Sequence, residues 1–151
     1  MKRAWYGSLV LLGLVSAVGV SSGRAGESAV HARAADARLQ WGPCPPVFPK
    51  GCEIAVLHGD PAADNADVFL RVPGGYAIPS HRHTSAERMV LVAGELEVTY
   101  AGGAPFTMSV GSYAYGPARV PHEARCIGRE ACVLSIAFET PVDAELAALT
   151  K

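Results

Sequence analysis

The sequence has 151 residues, half of them hydrophobic, with 13 lysines and arginines against 14 acids and a formal charge of −1. Without a basic stripe to meet phosphates, no nucleic acid partner is expected. The length left after an amino-terminal export segment suits one hydrophobic core and not two.

Residues 1–25 open with Lys2 and Arg3, continue through "GSLVLLGLVSAVGV" and end in small residues at Gly23 and Ala25. This is the layout of a secretory signal peptide, with cleavage expected near Ala25 and a periplasmic or secreted product. An uncleaved anchor is the alternative, but the apolar run falls short of the roughly 20 residues of a membrane span. No stable membrane span is expected after cleavage. The first cysteine, Cys44, lies too far along for lipidation at that site.

Residues 26–52 form a lead-in: "SAVHARAADARLQ" is Ala-rich and expected to be mobile or helical, and "WGPCPPVFPKGC" is too rich in proline for regular structure. From residue 53 to 151 short apolar runs alternate with turn signals. "EIAVLH" stops at "GDP", "ADVFLRV" at "PGG", "ERMVLV" at "AGE", "LEVTY" at "AGG" and "FTMSV" at "GS". Many short strands between Gly-rich turns predict an all-β sandwich or barrel. In the tail "TPVDAELAALTK", Thr140 can cap, Pro141 can take the first helical position, and Val142, Leu146 and Leu149 share a face. A short C-terminal helix docked on the barrel is expected.

Strand parity brings chemistry-bearing residues together. His81 and His83 project to one side while Arg82 points away, and Glu87 shares a face with Met89 and Leu91, residues a core would want. An ionised carboxylate among apolar side chains is costly unless paired. Two imidazoles and a carboxylate around a divalent ion remove that cost and suit Fe, Mn, Ni, Cu or Zn. His122 in "VPHEARC" offers a third imidazole on the face of Ala124 and Cys126. If "IGREA" is a hairpin connection, Cys126 meets Cys132 and His122 lies across from Ile136. Met89 reads as core. Tyr76, Tyr113 and Tyr115 are open between core and pocket, and His31 and His58 read as ordinary polar residues.

These residues resemble the two motifs of the cupin superfamily. Gly75, "YAIPS", His81, Arg82, His83, "TSA", Glu87, "RMVLVA" and Gly94 match the first at every fixed position. Gly111, "SYAYG", Pro117 and His122 match the second, with Arg119 in place of its glycine and Cys126 in place of its asparagine. The resemblance covers roughly residues 53–139. It implies a small antiparallel β-barrel of jelly-roll type, with one divalent transition metal held inside by His81, His83, Glu87 and His122.

Three imidazoles and one carboxylate around an octahedral ion leave two positions open for dioxygen, water or a bidentate ligand. The expectation is a metal-dependent, dioxygenase-like enzyme acting on a small oxygenated organic molecule. The other readings are a non-catalytic small-molecule binder or sensor, and a non-redox isomerase, decarboxylase or lyase. No separate catalytic residue stands out. The resemblance also implies a homodimer through outer or edge strands. Four cysteines allow three pairings, and export supplies the oxidant. Parity favours Cys126–Cys132, and the short loop "PPVFPKG" favours Cys44–Cys52. The rival reading leaves Cys126 as a free thiol near the metal.

Overall fold

Alternating apolar and polar residues build eleven strands among residues 28–150, the part of the chain that the computed structural model describes. The expected signal peptide lies outside the described residues. The strands are β1 (Gly42–Pro43), β2 (Glu53–His58), β3 (Ala66–Val72), β4 (Ala77–Arg82), β5 (Glu87–Ala93) and β6 (Glu95–Tyr100). They continue as β7 (Phe106–Met108), β8 (Tyr113–Gly116), β9 (His122–Ile127), β10 (Cys132–Phe138) and β11 (Glu145–Leu146). All pairings are antiparallel and form two sheets, one ordered β1-β2-β3-β10-β5-β8 and the other β11-β4-β9-β6-β7. This is the expected all-β jelly-roll barrel.

The inward positions of both sheets are apolar and period-two. In β5, Glu87, Met89 and Leu91 are buried while Arg88 is exposed. In β6, the buried Leu96 and Val98 alternate with the exposed Glu95 and Glu97. Leu91, Leu96, Val98, Val68, Val72 and Met108 are almost wholly withdrawn from water. Burying a side chain of this size stabilises by about 1.5–3 kcal/mol. Gly94, between β5 and β6, has φ +80° and sits so close to Ala131 and Cys132 that a Cβ would lie 2.7 Å from the Ala131 carbonyl oxygen. Only glycine meets both demands.

Three expectations need correction. First, β9 and β10 are not a hairpin: β9 pairs with β4 and β6, and β10 with β3 and β5. The segment between them crosses from one sheet to the other, so His122 faces His81 and Tyr100 in register and not Ile136. The Cys126–Cys132 disulfide nevertheless forms, with Cα atoms 5.7 Å apart, because both side chains enter the shared interior from opposite sheets. The second bridge, Cys44–Cys52, closes the Pro-rich loop, and Cys126 is not a free thiol.

Second, the tail forms no helix. A helix this short is marginal without a buried stripe, and the barrel offers its backbone better partners. Val142 N–H donates to the Pro61 carbonyl at 2.8 Å and Ala147 N–H to Ser80 at 3.2 Å. β11 adds itself to the edge of β4, and Arg82 pairs with Glu145 at 3.0 Å. Leu146, expected on the buried face, is 64% exposed. Third, of the two alternatives for the lead-in, mobile or helical, the helical one falls: residues 28–41 form turns without helix.

Candidate metal centre

The strand ends deliver the site. β4 carries an irregularity between Ile78 and His81, which lets both side chains face inward. His83 follows the end of β4, and Glu87 opens β5 in the opposite sheet. The turn between them is pinned by Ser85, which is buried. Its hydroxyl donates to the Ala86 carbonyl at 2.6 Å and accepts the N–H groups of Glu139 and Thr140 at 2.9 and 3.2 Å. His122 opens β9, directly opposite His81. All four residues are buried, Glu87 at 3% exposure.

Ligating nitrogens of His81, His83 and His122 lie within 4.8 Å of one another, so this cluster could hold a metal ion. The outer nitrogens decide which atoms point inward. Nδ1 of His81 approaches the Pro79 carbonyl at 2.7 Å, Nδ1 of His122 approaches Val120 at 3.2 Å, and Nδ1 of His83 approaches Asp143. A carbonyl oxygen only accepts, so each Nδ1 carries the proton and donates. In the neutral rings each Nε2 then presents a lone pair, the arrangement by which carbonyl partners orient metal-binding histidines.

Glu87 completes a ring of acceptors. Its Oε1 lies 3.0 Å from His122 Nε2 and its Oε2 lies 3.5 Å from His83 Nε2. With neutral imidazoles these contacts set lone pair against lone pair in a buried space, a conflict that a proton or a cation resolves. The electrostatics run the same way. Burial, then the His122 and His83 neighbours, holds His81 down at about 3. Burial would also lower His122, but the Glu87 hydrogen bond and charge outweigh it and the net shift is upward. Burial pushes Glu87 up, and the hydrogen bond and charge of His122 with those of His83 and His81 bring it below its usual range. The donor set of the site fits a divalent transition metal.

Several neighbours escaped the sequence reading. The Asp143 carboxylate accepts from Thr84 N–H at 2.9 Å and from the Thr84 hydroxyl at 2.6 Å, so the tail both fixes this turn and orients His83. Phe48, inside the Cys44–Cys52 loop, sets its ring edge-on to His81 with centroids 4.9 Å apart. The Tyr100 hydroxyl is buried without a hydrogen-bond partner among the described residues, and burial, then Glu87, pushes its phenol up. Gly116 lies against the Glu87 side chain. Pairings such as Tyr100 with His122 were invisible because they depend on which strands become neighbours. Tyr113 and Tyr115 face outward, at 60% and 49% exposure, and Tyr76 donates to the Pro49 carbonyl at 2.5 Å. None of the three lines the cavity over the histidines.

A family model described as "Cupin domain" matches residues 68–138. No curated protein matches the sequence. Among solved structures, the DMSP lyase DddQ from Ruegeria pomeroyi DSS-3 is 20% identical with a TM-score of 0.63, over 75% of this chain and 63% of that one. An RmlC-like cupin from Shewanella frigidimarina NCIMB 400 is 19% identical with a TM-score of 0.57, over 70% and 86%. KdgF from Halomonas sp. is 20% identical with a TM-score of 0.55, over 69% and 87%. At these identities the likeness is one of fold, and the chain spans less than two thirds of the DMSP lyases it matches.

Proposed function

Because the chain belongs to the cupin superfamily, we propose that it is an exported metal-dependent enzyme in which His81, His83, Glu87 and His122 hold one divalent ion. Its substrate is a small oxygenated organic molecule, and dioxygenase-like chemistry is the leading reaction class. The observation that carries this reading is the ring of inward lone pairs: three Nε2 atoms oriented by carbonyls, facing a buried carboxylate. Export is supported by the two disulfides.

When bound there, a transition metal supplies Lewis acidity and, in redox-active form, electron exchange with dioxygen. The chain's own residues do the rest. The carbonyls of Pro79, Val120 and Asp143 hold the imidazole rings in one orientation. Apolar walls from both sheets, including Leu134, Ile136 and Phe138, exclude bulk water from the site. The carboxylates lining the cavity are Glu87 and Asp143, and both Asp143 oxygens are engaged by Thr84. Among the described residues that leaves no separate carboxylate base in the cavity, which favours metal-centred chemistry over a side-chain proton relay.

Metal analysis tests the site. His83→Ala and Glu87→Ala should each lose most of one bound ion per chain while circular dichroism stays β-rich, and wild-type metal content in both would overturn the assignment. Oxygen uptake by iron-, nickel- or copper-loaded protein on small enols and catechols tests the reaction class. Turnover without oxygen consumption supports the second reading, a non-redox lyase, which the fold likeness to DMSP lyases favours. Binding without turnover identifies a sensor or carrier. A homodimer through the β8 edge, where Tyr113 and Tyr115 stand exposed, belongs to the same proposal, and light scattering showing a concentration-independent monomer would remove it.

A further inference from the structure

The cavity over the histidines has walls of one kind. Ile54, Leu70, Ile78, Met89, Leu134 and Ile136 line it from both sheets, and Phe48 with the Cys44–Cys52 bridge closes it from the Pro-rich loop. Among the described residues, no lysine, arginine, hydroxyl-bearing or amide side chain lines it. Its polar side chains are the three histidines, Glu87 and Asp143, the last already engaged by Thr84. A ligand inside can therefore satisfy polar atoms only at the metal end.

Size narrows the ligand further. The space open to the centre of a water molecule is about 50 Å³. At about 10–15 Å³ for each water, that is room for roughly three to five waters, or roughly 90–150 Å³ shared by the ion and the molecule it binds. Every hydroxyl or charge away from the metal would lie against hydrocarbon and lose its hydration without replacement.

We propose that the site takes a small ligand with one oxygen-bearing head, directed at the histidine cluster, and an apolar body of no more than about four carbons. Sugars, sugar acids and phosphorylated compounds are excluded by the lining. This inference rests on the metal-site reading and specifies its substrate class, so the test must separate the two.

Calorimetric titration of the nickel-loaded chain with pentanoate and with 4-hydroxybutanoate does so. The two probes have the same number of heavy atoms and the same carboxylate, and differ by a terminal methyl against a hydroxyl. Pentanoate should bind about tenfold to a hundredfold more tightly, the scale on which an apolar pocket rejects an isosteric hydroxyl. Its affinity should fall at least tenfold in the metal-free chain and in His83→Ala. Equal or tighter binding of 4-hydroxybutanoate, or no binding of either by a chain carrying one nickel, overturns the ligand class and leaves the metal site standing. A wild-type chain that takes up no nickel overturns the metal-site reading, and this inference falls with it.

Discussion

Arg119 stands where the second cupin motif has glycine, and its φ of 64° keeps the left-handed backbone that glycine would adopt. Its N–H donates to the His83 carbonyl at 2.8 Å, so the turn is held although its residue type disfavours it. The left-handed region costs a side-chain-bearing residue on the order of 1 kcal/mol, and glycine's extra freedom in the unfolded chain returns part of that. Arg119→Gly should therefore raise stability by up to about 1 kcal/mol in urea denaturation, with metal content unchanged. At Gly116 the direction reverses. A Cβ there would lie 2.8 Å from Cγ and Oε1 of Glu87 and 3.1 Å from the Tyr100 hydroxyl. Gly116→Ala must displace the carboxylate, and metal affinity should fall by about tenfold to a hundredfold, as for other changes behind a metal ligand, while the far-ultraviolet spectrum is kept. Acidity should act through His122. Metal binding needs a deprotonated imidazole. His81, held at about 3, stays neutral as pH falls from 7, whereas His122, raised by Glu87, takes up a proton earlier. Affinity should accordingly weaken as pH falls, with about one proton taken up per ion released at first, and a pH-independent dissociation constant between pH 7 and 5 would contradict this.

The carboxyl-terminal strap turns a local expectation into a different element. Thr140, Pro141 and Asp143 do carry helix-start chemistry, but Asp143 spends its carboxylate on Thr84 and its carbonyl on His83. A chain ending at Pro141 should keep the barrel, yet free the His83 ring and lose about tenfold or more in metal affinity. Leu146→Ala, at an exposed position, should change neither stability nor affinity measurably. The same contrast explains what the sequence made legible. His81, His83, Glu87 and His122 were readable as inward because side chains alternate with period two, a property of each strand alone. The hairpin placing His122 opposite Ile136 was misread because parity fixes a face and not a neighbour. β9 and β10 carry no residue that says which sheet each joins, and their connection is short enough for either arrangement. The disulfide survived that error because both geometries bring the same two inward faces together.

The barrel is pinned between its sheets at both ends of β9. At one end His122, with His81 from the same sheet, meets Glu87 of the opposite sheet. At the other end Cys126 bonds to Cys132 of β10 in that opposite sheet. The two pins are four residues apart along an extended strand, about 13 Å at the usual rise. Sites separated by more than about 7–10 Å without shared partners add their free energies to within about 0.5 kcal/mol. Replacing both Cys126 and Cys132 by serine opens a loop spanned by a sequence separation of 6 and should cost about 2 kcal/mol in the chain-entropy model. Metal at a hundred times its dissociation constant should add about 2.7 kcal/mol. If the pins are independent, metal stabilises the serine variant as much as the wild type, and calorimetric unfolding of both, with and without metal, gives four values that close additively. A metal-induced gain in the serine variant smaller by more than about 1 kcal/mol, well beyond the usual additivity error, would show instead that the disulfide holds the distant ligands in place, and that the two sheets separate as one coupled unit.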